Sequence, residues 1–220
     1  MRNLTLKTLV ALAVMAWAGG ASPKPMDIKE FVQQVYIHGV PYEKASKYDA
    51  SVVSTLLKML QDPKEQAHWS NIVTTLGMIG DTSAVELVIA FIERSKEGTP
   101  DRDQRRAGAS AMMALGHLVN KSGNRRALDY LITNLTLPAR SGGFFGAMAN
   151  LFGATAERKL NKYAVMGLAL SGHPKAAEAL KSIRESLESS DDRKMIDEAL
   201  ATNKKIAAKG LVEYYRTSRP

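Results

Sequence analysis

Four histidines, His38, His68, His117 and His173, are the first residues to test for chemistry, and their spacing argues against it. No two lie three or four residues apart, so no helix face presents a pair of ring nitrogens, and there is no HExxH pattern. Zinc sites draw on a tighter cluster of ligands, so these histidines are expected at turns or on the surface. The chain has no cysteine, which removes disulfides, thiolate metal sites and cysteine nucleophiles together. Asp191-Asp192 is a carboxylate pair, but helix capping and the helix dipole account for it without catalysis. No serine sits in a G-x-S-x-G setting. The run Gly142-Gly143-Phe144-Phe145-Gly146 lacks the preceding strand and the lysine of a phosphate loop. The expectation is no catalytic residue, no metal and no cofactor.

Two other groups of residues suit binding. Arg105 and Arg106, then Arg158, Lys159 and Lys162, then Lys194 fall on successive helical segments and are candidates for one basic ridge facing an acidic protein partner. The competing reading pairs them with Asp and Glu at neighbouring turns. The second group lies in residues 138–154 (PARSGGFFGAMANLFGA), an insertion rich in glycine yet carrying Phe144, Phe145 and Phe152. Loops longer than about 12 residues inside a domain are usually functional or disordered. One reading is an apolar flap that engages a partner or, through 142–152, a membrane surface. The other is a short helix folded onto the core, since water is a poor place for three phenylalanines.

The elements that position these groups are helical. Hydrophobic residues make up 45% of the 220-residue chain and aromatics only 6%, with ten methionines, a profile for helix-on-helix packing rather than a sheet sandwich. The net charge is +8, but no run of five Lys or Arg occurs and the charges are spread along the chain. Residues 1–21 read as a secretory signal: Arg2 and Lys7, an eleven-residue apolar stretch from Thr8 to Ala18, then small residues up to Ala21. That stretch is too short to span a bilayer, which takes about 20 residues. Its removal lowers the net charge from +8 to +6. The expected location is periplasmic or secreted, where ATP, nicotinamide cofactors and chromosomal DNA are absent.

A repeat emerges when the chain is laid on itself. Asp81 is a good N-cap, and Val85, Val88, Ile89 and Ile92 then recur at the spacing of one helix face. Thirty-two residues earlier, Asp49 precedes Val53, Leu56, Leu57 and Leu60. Forty-three residues later, Asn124 precedes Leu128, Leu131, Ile132 and Leu135. A degenerate copy follows Gly172-His173-Pro174 with Ala177 and Leu180. Second helices are predicted between the copies, at Trp69–Ile79, Arg105–Val119 and Ala156–Leu170, each with small residues that let a neighbour approach closely. Asp191–Arg216 is predicted as one long amphipathic helix capping the stack. Ahead of the first copy, residues 27–48 form an N-terminal cap: a helix from Asp27 to Ile37, broken at Gly39-Val40-Pro41 and flanked by Tyr36, Tyr42 and Tyr48.

Leu60-Gln61-Asp62-Pro63, followed by Leu76-Gly77-Met78-Ile79-Gly80-Asp81, resembles the HEAT-repeat consensus, in which a first helix ends in "L-x-D-P" and a second in "L-G-x-I-G-D". The resemblance covers about residues 49–190 and is most specific in the first pair. It implies an all-α protein, an α-solenoid of about four HEAT-like helix pairs over residues 26–217, with a concave face lined by second helices. It implies no activity. The function expected is therefore an exported, non-catalytic scaffold for protein–protein interaction or assembly in the cell envelope. The alternatives are an enzyme subunit or a nucleic-acid-binding, glycosylase-like protein of HEAT type, the latter disfavoured by export.

Overall fold

A short polar phrase recurs where one helix hands over to the next. Asp49, Asp81, Asn124 and His173 each accept a hydrogen bond from a backbone N–H two or three residues on, at 2.8–3.2 Å. This satisfies donors that a helix start otherwise leaves open. The computed structural model describes residues 26–96, 99–137 and 159–217. Its helices are α1 (Ile28–Gln33), α2 (Tyr42–Ala45), α3 (Val53–Gln61), α4 (Trp69–Ile79), α5 (Val85–Ser95), α6 (Arg102–Ser122), α7 (Arg125–Thr133), α8 (Lys162–Ser171), α9 (Pro174–Ser186) and α10 (Ser190–Thr217). Short 3₁₀ turns at Ala50–Val52, Pro63–His68 and Thr82–Ala84 lead into α3, α4 and α5. The chain is all-α but for one antiparallel ladder of β1 (Thr136–Leu137) with β2 (Lys159–Leu160), Thr136 opposite Leu160.

The helices lie in two rows. α3, α5, α7 and α9 form the first row, each packed against one or two members of the second row, in which α4, α6, α8 and α10 lie side by side in chain order. The apolar face of each first-row helix is thereby covered. Val85, Val88, Ile89 and Ile92 of α5 are all buried, as are Val53, Leu56 and Leu60 of α3 and Leu128 and Leu131 of α7. Burying one such side chain contributes about 1.5–3 kcal/mol. In α9 the inward residues are Ala176 and Leu180, with Ala177 half-exposed beside them.

Close approach inside the second row depends on missing side chains. A Cβ on Gly77 of α4 would lie 2.6 Å from the Ala114 backbone of α6, and one on Gly116 of α6 would overlap the Gly167 carbonyl of α8. Glycine inside a helix is unfavourable by about 0.5–1 kcal/mol relative to alanine; here it lets two backbones touch. Buried polar groups tie the same row. Ser70 and Ser110 share a hydrogen bond of 2.7 Å between α4 and α6, and Asn203 of α10 donates to the Leu168 carbonyl of α8 at 2.9 Å.

Three elements differ from their sequence-based expectations. The helix predicted from Ala156 begins at Lys162, because Leu160 pairs in β2 and Asn161 accepts from the Tyr163 and Ala164 N–H groups, starting α8 there. The helix predicted over Asp27–Ile37 ends at Gln33, and Val35 and Ile37 project outward at 91% and 88% exposure. Asn71 explains the stop: its amide donates to the Val32 and Gln34 carbonyls and holds the turn in place of a further helical bond. The long C-terminal helix is broken at Gly210 (φ 77°, ψ 167°). Among the described residues, no helix is long and apolar enough to cross a membrane.

Candidate binding groove

The break at Gly210 redirects the last turns of the chain. The backbone there lies in a region that L side chains rarely adopt, and no atom lies within 4 Å of where a side chain would begin. From this hinge the tail, Leu211–Thr217, runs back along the second row towards α2. Leu211 is buried, and the Tyr215 ring stacks on Tyr42 with centroids 4.9 Å apart and planes 12° from parallel. Tyr214 meets Tyr215 edge-on at 5.3 Å, and the Lys205 ammonium lies 5.5 Å from the Tyr214 ring centroid. Aromatic pairs of this kind contribute about 0.5–1.5 kcal/mol beyond their buried area.

Under the tail lies His117, in the C-terminal part of α6. It is buried, where a turn or surface position was expected, and its Nε2 shares a hydrogen bond of 2.8 Å with the Tyr215 hydroxyl. Its Nδ1 has no partner among the described residues. Burial, reinforced by the Lys121 charge, lowers the imidazole from its ordinary 6.5 to about 4, so the ring is neutral at physiological pH. Burial likewise pushes the Tyr215 phenol up, with Tyr214 and Tyr42 adding to the effect. Tyr42, on the other side of this ring, is buried as well, at 2% exposure. One signal did mark His117: it stands within Leu115-Gly116-His117-Leu118-Val119, an otherwise apolar run.

Beside the tail, α6, α8 and α10 leave an apolar groove of about 500 Å³. Met113 comes from α6, Val165, Met166 and Leu170 from α8, Met195 and Ala199 from α10, and Tyr214 and Tyr215 from the tail. Met166 is 45% exposed, so the groove opens to solvent. Lys162 and Glu198 supply charge at its edge. A smaller cavity of about 270 Å³ lies elsewhere, between Leu60, Pro63, Trp69, Phe91 and Pro100.

The basic candidates separate. Arg106, Lys162 and Lys194 are exposed near the starts of α6, α8 and α10. Arg105 is half-buried and donates to the Pro100 carbonyl at 2.6 Å, so it serves the turn before α6. Lys159 is in β2, where its backbone pairs with Leu137, and not on a second helix. Arg158, Phe144, Phe145 and Phe152 lie outside the described residues, as does the whole of the 138–154 insertion. Salt bridges among the described residues fall elsewhere: Lys96–Glu93, Arg126–Glu86, Arg184–Asp197 and Arg216–Glu213. Arg106 and Lys194 are in none of them.

Among the described residues no three of His, Cys, Asp and Glu come together to hold a metal ion. What the geometry offers is an adaptable apolar surface, with thioether side chains that repack around a guest and fixed charge at its edge. Fold and groove together define an all-α protein of two helix rows with its C-terminal tail folded back over one of them. Comparison with protein-family models, curated proteins and solved structures returns no match.

Proposed function

We propose that this chain is an exported, non-catalytic scaffold, a HEAT-like α-solenoid that holds a protein partner on the face of its second helices. The observation that carries the reading is the open, methionine-lined groove spanning α6, α8 and α10. Three lines support the finer description. The rows alternate in chain order, as stacked helix pairs do; the Gly-then-cap phrase recurs at Gly80-Asp81, Gly123-Asn124 and Gly172-His173; and residues 1–21 have the charge and hydropathy order of a secretory signal.

The test is site-specific photo-crosslinking in the native cell. A photoreactive residue at position 166, in the groove, should give a discrete adduct with a second protein in the extracytoplasmic fraction. The same residue at Leu87, on the opposite row and 38% exposed, should give none. Adducts from both positions alike, or a chain held unprocessed in the cytoplasm, would reject the proposal.

A further inference from the structure

The smaller cavity lies between the turn that joins α3 to α4 and the turn that joins α5 to α6. Its apolar wall is fixed before anything enters. Leu60, Phe91 and Pro100 are buried. The Trp69 indole meets the Phe91 ring edge-on, with centroids 5.4 Å apart and planes at 85°, and its Nε1 donates to the Asp62 carbonyl at 3.2 Å. The Pro100 carbonyl accepts from Arg105 at 2.6 Å, and Gln104 is tied into the capping box of α6. A wall held in this way gives up little freedom when a ring is laid against it.

The charge at the cavity has one sign. Arg94, exposed on the last turn of α5, is the one charged side chain among the described residues that line it. It takes part in no salt bridge among the described residues. The acids on the neighbouring turns are engaged elsewhere. Glu93 accepts from Lys96 and Tyr130, Asp62 from the Lys64 N–H, and Asp101 from the Gln104 N–H and the Gln66 amide. A guanidinium offers donors only, in a planar fork that matches a carboxylate.

We infer that this cavity binds a small monocarboxylate bearing an aromatic ring, the ring against Trp69 and Phe91 and the carboxylate on Arg94. The aromatic pair selects the ring, since an edge-to-face arrangement leaves room for a third ring to pack at the same geometry. The lone cation selects a single negative charge, and its fork selects a carboxylate. The volume selects the size. About 270 Å³ falls just below the range of roughly 300–1,000 Å³ that holds drug-sized ligands, which suits one ring on a short arm. Buried residues on the floor and a turn on either side favour a whole small molecule over an extended chain. The cavity shares no lining residue with the α6–α8–α10 groove, so the two sites stand or fall separately.

The chain has two tryptophans, Trp17 and Trp69, so protein expressed from the full-length sequence with Trp17→Phe reports on the cavity through a single indole. The probes are phenylacetate, phenylacetamide, phenethylamine and acetate, which vary charge and ring separately. Phenylacetate should change the Trp69 emission saturably. It should bind about ten-fold more tightly than phenylacetamide, the size of one hydrogen bond to a charged group. Phenethylamine and acetate should bind more weakly still, and the preference for acid over amide should narrow as salt screens the exposed guanidinium. Arg94→Gln should leave the helical circular dichroism unchanged, keep the binding of phenylacetamide and abolish the preference for the acid. Equal binding of acid and amide, a preference that survives Arg94→Gln, or no saturable change with any probe overturns the inference. So does a response to a peptide ending in phenylalanine and not to phenylacetate, which would make the guest a protein segment. An emission change produced by raising the protein concentration alone would make the guest a second copy and overturns it equally.

Discussion

α6 is contacted in two ways, by α8 at Gly116 and Gly167 and by the tail at His117 and Tyr215. The sites are adjacent in sequence and opposite in physics. At the α6–α8 crossing backbone meets backbone, and no side chain can be inserted without moving a helix. The tail is attached by one stacked ring, one buried leucine and a single hydrogen bond to a histidine. The stack is therefore a rigid body, and the tail is a lightly held element on its surface, with a glycine hinge where it departs. Local opening at such an element takes far less free energy than global unfolding.

The largest expected effect breaks the crossing. Gly116→Leu drives a side chain into the Gly167 carbonyl, a backbone atom that cannot rotate away. Overpacking against side chains typically costs 1–3 kcal/mol; against backbone the expected loss is roughly 5 kcal/mol or more, most of a domain's stability. The cooperative thermal transition should disappear in circular dichroism. A variant that melts normally would mean the two backbones are not in contact. Next comes Leu131→Ala. Leu131 is fully buried in α7 and abuts Gly167, and truncating such a leucine costs about 2–5 kcal/mol. A loss below about 0.5 kcal/mol would place the residue outside the core, contrary to its burial.

Much of this rigid body was legible in the sequence, and the tail was not, for a physical reason. Helix period, caps and small residues are local patterns, so Trp69–Ile79 and the caps at Asp49, Asp81 and Asn124 could be read from neighbouring residues alone. The junction of Tyr42, His117 and Tyr215 joins residues more than seventy positions apart, and no periodicity reports it. The break at Gly210 is masked in the sequence because the apolar stripe continues past it through Leu211 and Tyr214 at helical spacing. Lys159 was misplaced because a polar, helix-compatible run preceded Asn161, and the ladder with Leu137 is a long-range pairing. Of the groove residues, only Lys162 stood among the basic candidates, and the methionines carried no signal, because a methionine at helical spacing is ordinarily core.

A pH titration separates the two attachments at an intermediate size. His117 is held neutral in the fold, with its proton affinity lowered to about 4 from 6.5. As pH falls below 6.5 the unfolded chain takes up a proton that the fold refuses, so stability is lost between about pH 6.5 and 4 and levels off below that. Each pH unit of displaced affinity is worth about 1.4 kcal/mol, so the loss has an upper bound of roughly 3 kcal/mol, reached only if the tail stays closed over the ring. His117→Gln should flatten the upper half of that window, which lies above the range where carboxylates titrate. If the tail opens locally before the stack unfolds, the acid response should show first as faster amide exchange in Leu211–Thr217. Acid-induced loss of α4, α6 and α8 protection at the same pH would mean tail and stack form one cooperative unit.

Tyr215→Phe gives the smallest expected effect and the sharpest discrimination. The ring is kept, so the stack on Tyr42 survives, and only the hydroxyl bonded to His117 is lost. Leaving a buried polar group unpaired costs about 1–3 kcal/mol, and both imidazole nitrogens are then without partners, since Nδ1 already has none among the described residues. In a rigid core that penalty would reach global stability in full. A lightly held tail caps it, because the tail can lift and let water reach the ring, so the global loss cannot exceed the free energy of local opening. About 1 kcal/mol is expected, a fall of about 2–4 °C in melting temperature for a chain of this size. The comparison variant ends the chain at Lys209 and removes the tail altogether. If its melting temperature lies close to that of Tyr215→Phe, the tail contributes little beyond the one hydrogen bond. If truncation costs as much as Leu131→Ala, the tail belongs to the rigid body, and the contrast between the two contacts on α6 fails.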